Sequence, residues 1–363
     1  MKKALVILLT LAVAGGLFAQ TFTLVGNFEG GIGMLGGEDF DDPVFGVVAP
    51  HTGVNGARGQ LTFDARNAAG NAGFQGRLRA TGFNNAFAAG AANGLHMQQA
   101  WGWIRLFDNI LELRAGRYWD GVLVTQTPGG VDASLFDNTG LVAYLRPTDM
   151  FTLGFGAFSP VQGGTWEESG LRLWAGLGLN LGDIEVRGHL TIGEEHLNAL
   201  VGLRVSLLDG IPIHAQLRME NLHEFGDIGL LYAHFFVGLN NLVDNLGITL
   251  GAALAMSSVD DTDLSMAFGG WLTYNMGLMI PRLDLWYVMG GNYNYGAGFA
   301  NNATITNDRF DFDSDNQYFS IRPRLDFQVA ANQVWTVGCL FNLGLGDNEG
   351  VNWGFFTGVR VQF

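Results

Sequence analysis

The chain has one cysteine, Cys339, in 363 residues, so no intrachain disulfide can staple it. It has no lysine after Lys2 and Lys3. Beyond those two, 17 arginines stand against 34 acidic residues, a net charge of −17. A surface this acidic is a poor match for nucleic acid, whose binding rests on neutralising phosphates. Charged residues make up only 15% of the chain, and after residue 20 no uncharged apolar run reaches 18 residues. Membrane-spanning helices are thereby excluded beyond that point, because each needs about 20 apolar residues. Glycine (54 residues) and aromatic side chains (12%) are plentiful instead. A chain with few charges and no long apolar run can still present an apolar surface, by alternation along strands.

That alternation runs from Phe22 to Phe363 with a period of two. Arg58, Gln60, Thr62, Asp64 and Arg66 share one face, and Leu61, Phe63 and Ala65 the other. Leu171 to Leu179 and Leu246 to Met256 form further one-sided rows. The pattern predicts eighteen strands, with sixteen as the count if two weak ones merge. They lie at 22–34, 56–67, 72–83, 94–107, 110–120, 138–146, 149–159, 168–180, 183–193, 195–208, 211–222, 227–240, 244–257, 262–276, 280–294, 315–328, 332–345 and 351–363. Alternate connections are tight, as at Asn67 to Asn71, Asp108-Asn109, Pro147-Thr148 and Gly182-Asp183. The intervening ones include the long loops 35–55, 84–93, 121–137, 160–167 and 295–314. Short turns on one rim and long loops on the other are the asymmetry of an up-and-down transmembrane antiparallel β-barrel. An even strand count then puts both termini on the short-turn, periplasmic side. No linker or second domain interrupts the pattern. Trp101, Trp103, Tyr118, Trp119, Phe151, Trp166, Tyr287, Trp335 and Trp353 cluster near strand ends, and interfacial girdles are expected of them. Cys339 is expected on the lipid face.

The two ends carry resemblances. Gly358, Val361 and the terminal Phe363, on a strand with Arg360 and Gln362 on its other face, resemble the carboxy-terminal assembly signal of bacterial outer-membrane β-barrels. The family usually has a polar residue where this chain has Phe356. At the other end, Met1-Lys2-Lys3, the apolar run Ala4 to Ala14 and the small residues up to Ala19 read as a secretory signal peptide, residues 1–19. Its ending Phe18-Ala19-Gln20 resembles signal peptides of spirochaete envelope proteins. The segment Leu111-Glu-Leu-Arg-Ala-Gly-Arg-Tyr118 resembles a strand common in porins, which precedes their inward-folded third loop. The resemblance implies that loop 121–137 bends into the lumen.

A barrel of 16–18 strands leaves an aqueous channel. Pleat parity points Gln75, Arg77, Arg79 and Thr81 inward, as it does Glu112, Arg114, Glu185, Arg187, His189 and Thr191. Tyr318, Ser320, Arg322, Arg324, Asp326 and Gln328 follow on the sixteenth strand. Arg77, Arg79, Arg114, Arg187, Arg322 and Arg324 fall near mid-height and form an arginine ladder. If loop 121–137 folds inward, Asp120, Asp132 and Asp137 face that ladder across a constriction, and the opposed charges make a transverse field. Alternatively these arginines pair with wall carboxylates such as Asp64, Glu112 and Asp326. Five of the seven histidines lie between His189 and His234, with His189, His214 and His234 inward. No HExxH pattern or nucleophile constellation accompanies them, so neither an enzyme nor a metal or cofactor is expected. Asp311, Asp313 and Asp315 lack the glycine and the bidentate acid of an EF-hand loop.

The whole mature chain, 20–363, thus resembles a bacterial outer-membrane porin. The resemblance implies passive diffusion of small hydrophilic solutes, lipid and the barrel assembly machinery as partners, and a homotrimer. A substrate-specific or hydrophobic-compound uptake channel is the first alternative, and a surface adhesin or structural envelope barrel the second.

Overall fold

A computed structural model describes residues 21–37, 42–49, 54–55, 57–83, 94–119, 121–125, 137–159, 170–193, 196–206, 211–220, 222, 230–240, 243–256, 265–289, 317–345 and 350–363. Every regular element among them is a strand: β1 (Thr21–Gly37), β2 (Val44–Ala49), β3 (Val54–Asn55), β4 (Ala57–Arg66), β5 (Ala72–Phe83), β6 (Gly94–Leu106), β7 (Leu111–Trp119), β8 (Asp137–Thr148), β9 (Phe151–Ser159), β10 (Arg172–Asn180), β11 (Ile184–Gly193), β12 (His196–Val205), β13 (Ile213–Glu220), β14 (Leu230–Asn240), β15 (Leu246–Met256), β16 (Ser265–Tyr274), β17 (Met279–Met289), β18 (Gln317–Ala330), β19 (Gln333–Leu345) and β20 (Val351–Gln362). The leader 1–19 lies outside the described residues.

Eighteen of these, β1 and β4 to β20, form the wall. β4 to β20 pair each with the next, antiparallel, from Arg66↔Gly73 on β4 and β5 to Leu343↔Val351 on β19 and β20. The last strand then meets the first, from Asn27↔Gln362 to Gly37↔Asn352, and the barrel closes. Closure removes both sheet edges, so every wall strand has a partner on each side.

The alternation dictates two unlike faces. On β10 the outward Leu173 and Leu177 are exposed while the inward Trp174 is buried. On β15 the outward Leu250 is 51% exposed and its neighbour Thr249 is 8% exposed. Cys339, opposite Phe355 in register, has the outward parity expected of it. On β20 the outward face carries Phe355, Val359 and Phe363; inward Phe356 packs over Gly338, the strand pair sharing register Gly338↔Phe356.

Three expectations need correction. Segment 35–55 is not simply loop. β1 runs on to Gly37, its residues Thr21 to Glu29 pairing with β4 and Gly31 to Leu35 with β2. The alternation in Val44-Phe-Gly-Val-Val48 is short and apolar on both faces, which hid β2 from a period-two reading. Pro147-Thr148 is not the turn: β8 continues through them with a shifted register, and the chain reverses at Asp149-Met150.

The third correction concerns the tryptophans. Trp335 and Trp353 do face outward, each near the start of its strand and so, on antiparallel neighbours, towards opposite rims. Trp101 and Trp103 instead face inward, with Trp174, Trp271 and Trp286. Two apolar clusters therefore sit on the inner wall. One joins Phe236, Ala253, Ala267, Trp286, Val288 and Tyr318 on β14 to β18. The other joins Val142, Tyr144, Phe158 and Trp174 to Leu123.

Candidate functional site: the inner wall and the segment after β7

The inner wall is polar because of one recurring local device. Asp64 and Arg66, Glu112 and Arg114, Glu185 and Arg187, Arg218 and Glu220, Arg282 and Asp284, and Arg324 and Asp326 are each two residues apart on one strand. Two residues along a strand is one step on the same face, so opposite charges at that spacing meet side by side. The Arg66–Asp64 and Arg187–Glu185 pairs are 2.6 and 2.7 Å long, and Arg324–Asp326 is 3.2 Å. Thr336 Oγ1 adds a 2.6 Å hydrogen bond to Asp326. The expected alternative of arginines settled by wall carboxylates thus holds for Arg114, Arg187 and Arg324.

Glu112 departs from simple pairing. Its carboxylate is 2% exposed and accepts from three guanidiniums, Arg105 at 2.8 Å, Arg146 at 3.2 Å and Arg114. Three cations share one anion. The arginines are held on their flat faces too: Arg114 lies 4.9 Å from the centre of the Trp101 ring and 4.8 Å from that of Tyr144. Arg105 lies 4.6 Å over Trp103. Stacked on rings and hydrogen-bonded through Nε to the carboxylate at once, Arg105 and Arg114 are fixed in direction.

The other ladder residues are placed differently. Arg77 stands opposite Thr62 and Gln99 in register, and Arg79 donates 3.1 Å to Gln60 Oε1. Arg114 stands opposite Trp103, so it joins the Glu112 cluster rather than a shared row with Arg77 and Arg79. Arg322 is buried on β18, opposite Asp284. Asp120 and Asp132 lie outside the described residues; Asp137 opens β8, opposite Trp119, and its side chain lies outside them too. Gly358 and Val361 stand opposite Gly31 and Phe28, and Phe363 exchanges two backbone hydrogen bonds with Gly26 (2.7 and 3.0 Å).

Residues 121–125 of the long segment after β7 lie against the inner wall. Leu123, Val124 and Thr125 are fully buried or nearly so. Arg187 Nη1 donates 2.6 Å to the carbonyl of Val122, and His189 Nδ1 lies 3.1 Å from the carbonyl oxygen of Leu123. Below them a pocket of about 150 Å³ is lined by Arg146, Asp149, Thr152, Asn180 and Arg187. His214 and His234 are buried inward on β13 and β14. The rest of the segment, 126–136, lies outside the described residues.

Several of these features escaped the sequence reading although traces of them are present. The six carboxylate–arginine pairs at spacing two are visible as Asp/Glu-x-Arg or its reverse. Trp101 and Trp103 share parity with Arg105. The apolar Val122-Leu123-Val124 stands out in a loop, where exposed chain is normally polar.

A wall that is apolar outside and charged inside, closed by eighteen antiparallel strands, has the architecture of the outer-membrane porins. No protein-family model matches the sequence, and no curated protein does. Solved structures match over almost the whole length. The outer membrane protein OpdK from Pseudomonas aeruginosa superposes with a TM-score of 0.59 at 11% identity, over 95% of this chain and 100% of its own. OpdL from Pseudomonas aeruginosa gives 0.58 at 8%, over 94% and 98%. OccAB1 from Acinetobacter baumannii gives 0.57 at 9%, over 95% and 98%. At these identities the likeness is one of fold.

Proposed function

We propose that the chain is an integral barrel of a bacterial outer membrane through which small hydrophilic solutes diffuse passively. The inverted polarity of the wall carries this reading. Leucines and phenylalanines cover the outside, and ion pairs two residues apart line the inside. A soluble protein of this shape would expose its apolar face to water, whereas a lipid-embedded one is matched on both sides. Eighteen strands also enclose more cross-section than wall side chains ordinarily fill.

On this reading the leader 1–19 directs export, the short turns and both termini face the periplasm, and Gly358, Val361 and Phe363 present the last strand to the assembly machinery. Loop 121–137 narrows the lumen, and Asp120, Asp132 and Asp137 set negative charge against the arginine wall. A trimer is the assembly the resemblance implies. We assign the chain no enzymatic role. Substrate selectivity is the second reading, favoured by the directional fixing of Arg105 and Arg114 on Trp103 and Trp101. Single-channel recording from the refolded mature chain in a planar bilayer is the test. An ohmic pore is expected, and a verified folded barrel without conductance would turn the reading towards an adhesin or structural barrel.

A further inference from the structure

The inner faces of β9, β10 and β12 lack side chains where residues 122–125 cross them. Gly154 on β9, Gly176 and Gly178 on β10, and Gly202 on β12 all have inward parity. None of the four is among the glycines with positive φ, so the backbone there does not demand glycine. Glycine within a strand weakens it and often marks close approach by another group. At Gly176, Gly178 and Gly202 the nearest such group is the segment itself. A β-carbon on Gly176 would lie 2.6 Å from Leu123 Cδ1, while one on Gly154 would meet the Trp174 ring first, with Leu123 Cδ1 at 2.8 Å. One on Gly178 would lie 3.0 Å from Leu123 Cδ2, and one on Gly202 would overlap Thr125 Oγ1.

The geometry points to a keyed wedge: Leu123 and Thr125 are seated in glycine sockets of the barrel wall, and this seating sets how far the segment stands into the lumen and so the aperture of the pore. The inference rests on the porin reading for its functional half. Leu123 also packs in one apolar cluster with Val142, Tyr144, Phe158 and Trp174 of the same stretch of wall. Arg187 and His189 take the two successive backbone carbonyls. Residues 122–125 carry no charge, so the wedge is held by packing and by carbonyl acceptors. Salt, which screens exposed ion pairs, does not release it.

The test uses the full mature chain in two variants. Leu123→Gly removes the key and leaves the wall intact; Gly176→Val fills the socket and leaves the key intact. Each is read in two ways: single-channel conductance in planar bilayers, and the rate at which a water-soluble maleimide labels Thr125→Cys in a Cys339→Ser background. Labelling is expected to be slow in the parent and faster in both variants, with conductance raised in both. Fast labelling in the parent, or equally slow labelling in all three, overturns the seating. Faster labelling with unchanged conductance overturns the control of aperture. If the parent carries no current, the porin reading fails and labelling alone decides the wedge. If Gly176→Val does not assemble, Leu123→Gly decides.

Discussion

His189 Nδ1 lies 3.1 Å from the carbonyl oxygen of Leu123, which joins the ninth wall strand, β11, to a segment that leaves the fifth, β7. Arg187, one step along the same face, takes the preceding carbonyl. The pair of donors turns a stretch of inner wall into a backbone rack. Their neighbours on that wall are glycines, so the rack and the room beside it come together.

Replacing Glu112 by Gln should have two effects. Three guanidiniums lose the one carboxylate they share, and the loss should lower stability by about 1–3 kcal/mol, read as a lower urea midpoint. The inner wall gains one net positive charge, so the reversal potential under a salt gradient should move towards anions. A variant with parental midpoint and parental selectivity would mean that Glu112 is screened by water and not shared.

The triple change Arg77→Gln, Arg79→Gln, Arg114→Gln should shift the reversal potential towards cations. Fixed positive charge in a narrow passage enriches anions locally. Acids in distant loops are screened beyond about 8–10 Å at physiological ionic strength. An unchanged reversal potential would place the selecting charges elsewhere in the lumen.

Leu250→Arg should destabilise the barrel and Thr249→Arg should not. Leu250 faces outward in mid-strand, where an arginine costs about 2–4 kcal/mol at the bilayer midplane. Thr249 faces inward. Urea midpoints in the reverse order would show that the wall register is off by one residue.

Phe363→Ser should impair assembly more than Gln362→Ser. The Phe363 ring covers Gly26 on β1 from the outward face, while Gln362 points inward opposite Asn27. Heat-modifiability on gels measures the folded fraction, and equal fractions for the two variants would count against this role of the aromatic end.

The strand plan was legible because one physical requirement writes it: an apolar outer face repeats at every second residue. All eighteen wall strands fall within a few residues of the positions read from Phe22 to Phe363. Inner-wall residues were legible by parity, as Arg187, His189 and Arg322 show. What the alternation cannot express is which inward side chains meet across strands, or what packs onto the wall from outside it. Nothing local to Glu112 tells that Arg146, on β8, will reach it. Nothing local to Gly202 tells that Thr125 will fill its missing side chain. Inward tryptophans defeat a hydrophobicity reading as well, since Trp101 and Trp271 stack with arginines of the adjacent strand and Trp103 with Arg105 of its own.

The seam between β1 and β20 has a kinetic consequence. Its hydrogen bonds join the two extremes of the chain, Gly26 to Phe363, so no part of it can form while β20 is still missing. Until then β1 and the newest strand each present a bare ladder of N–H and C=O groups, ready to pair with another molecule. Contacts this remote in sequence are slow to find. The barrel should therefore fold late and all at once around its last strand, and chains shortened before Val351 should accumulate as aggregates and not as smaller barrels.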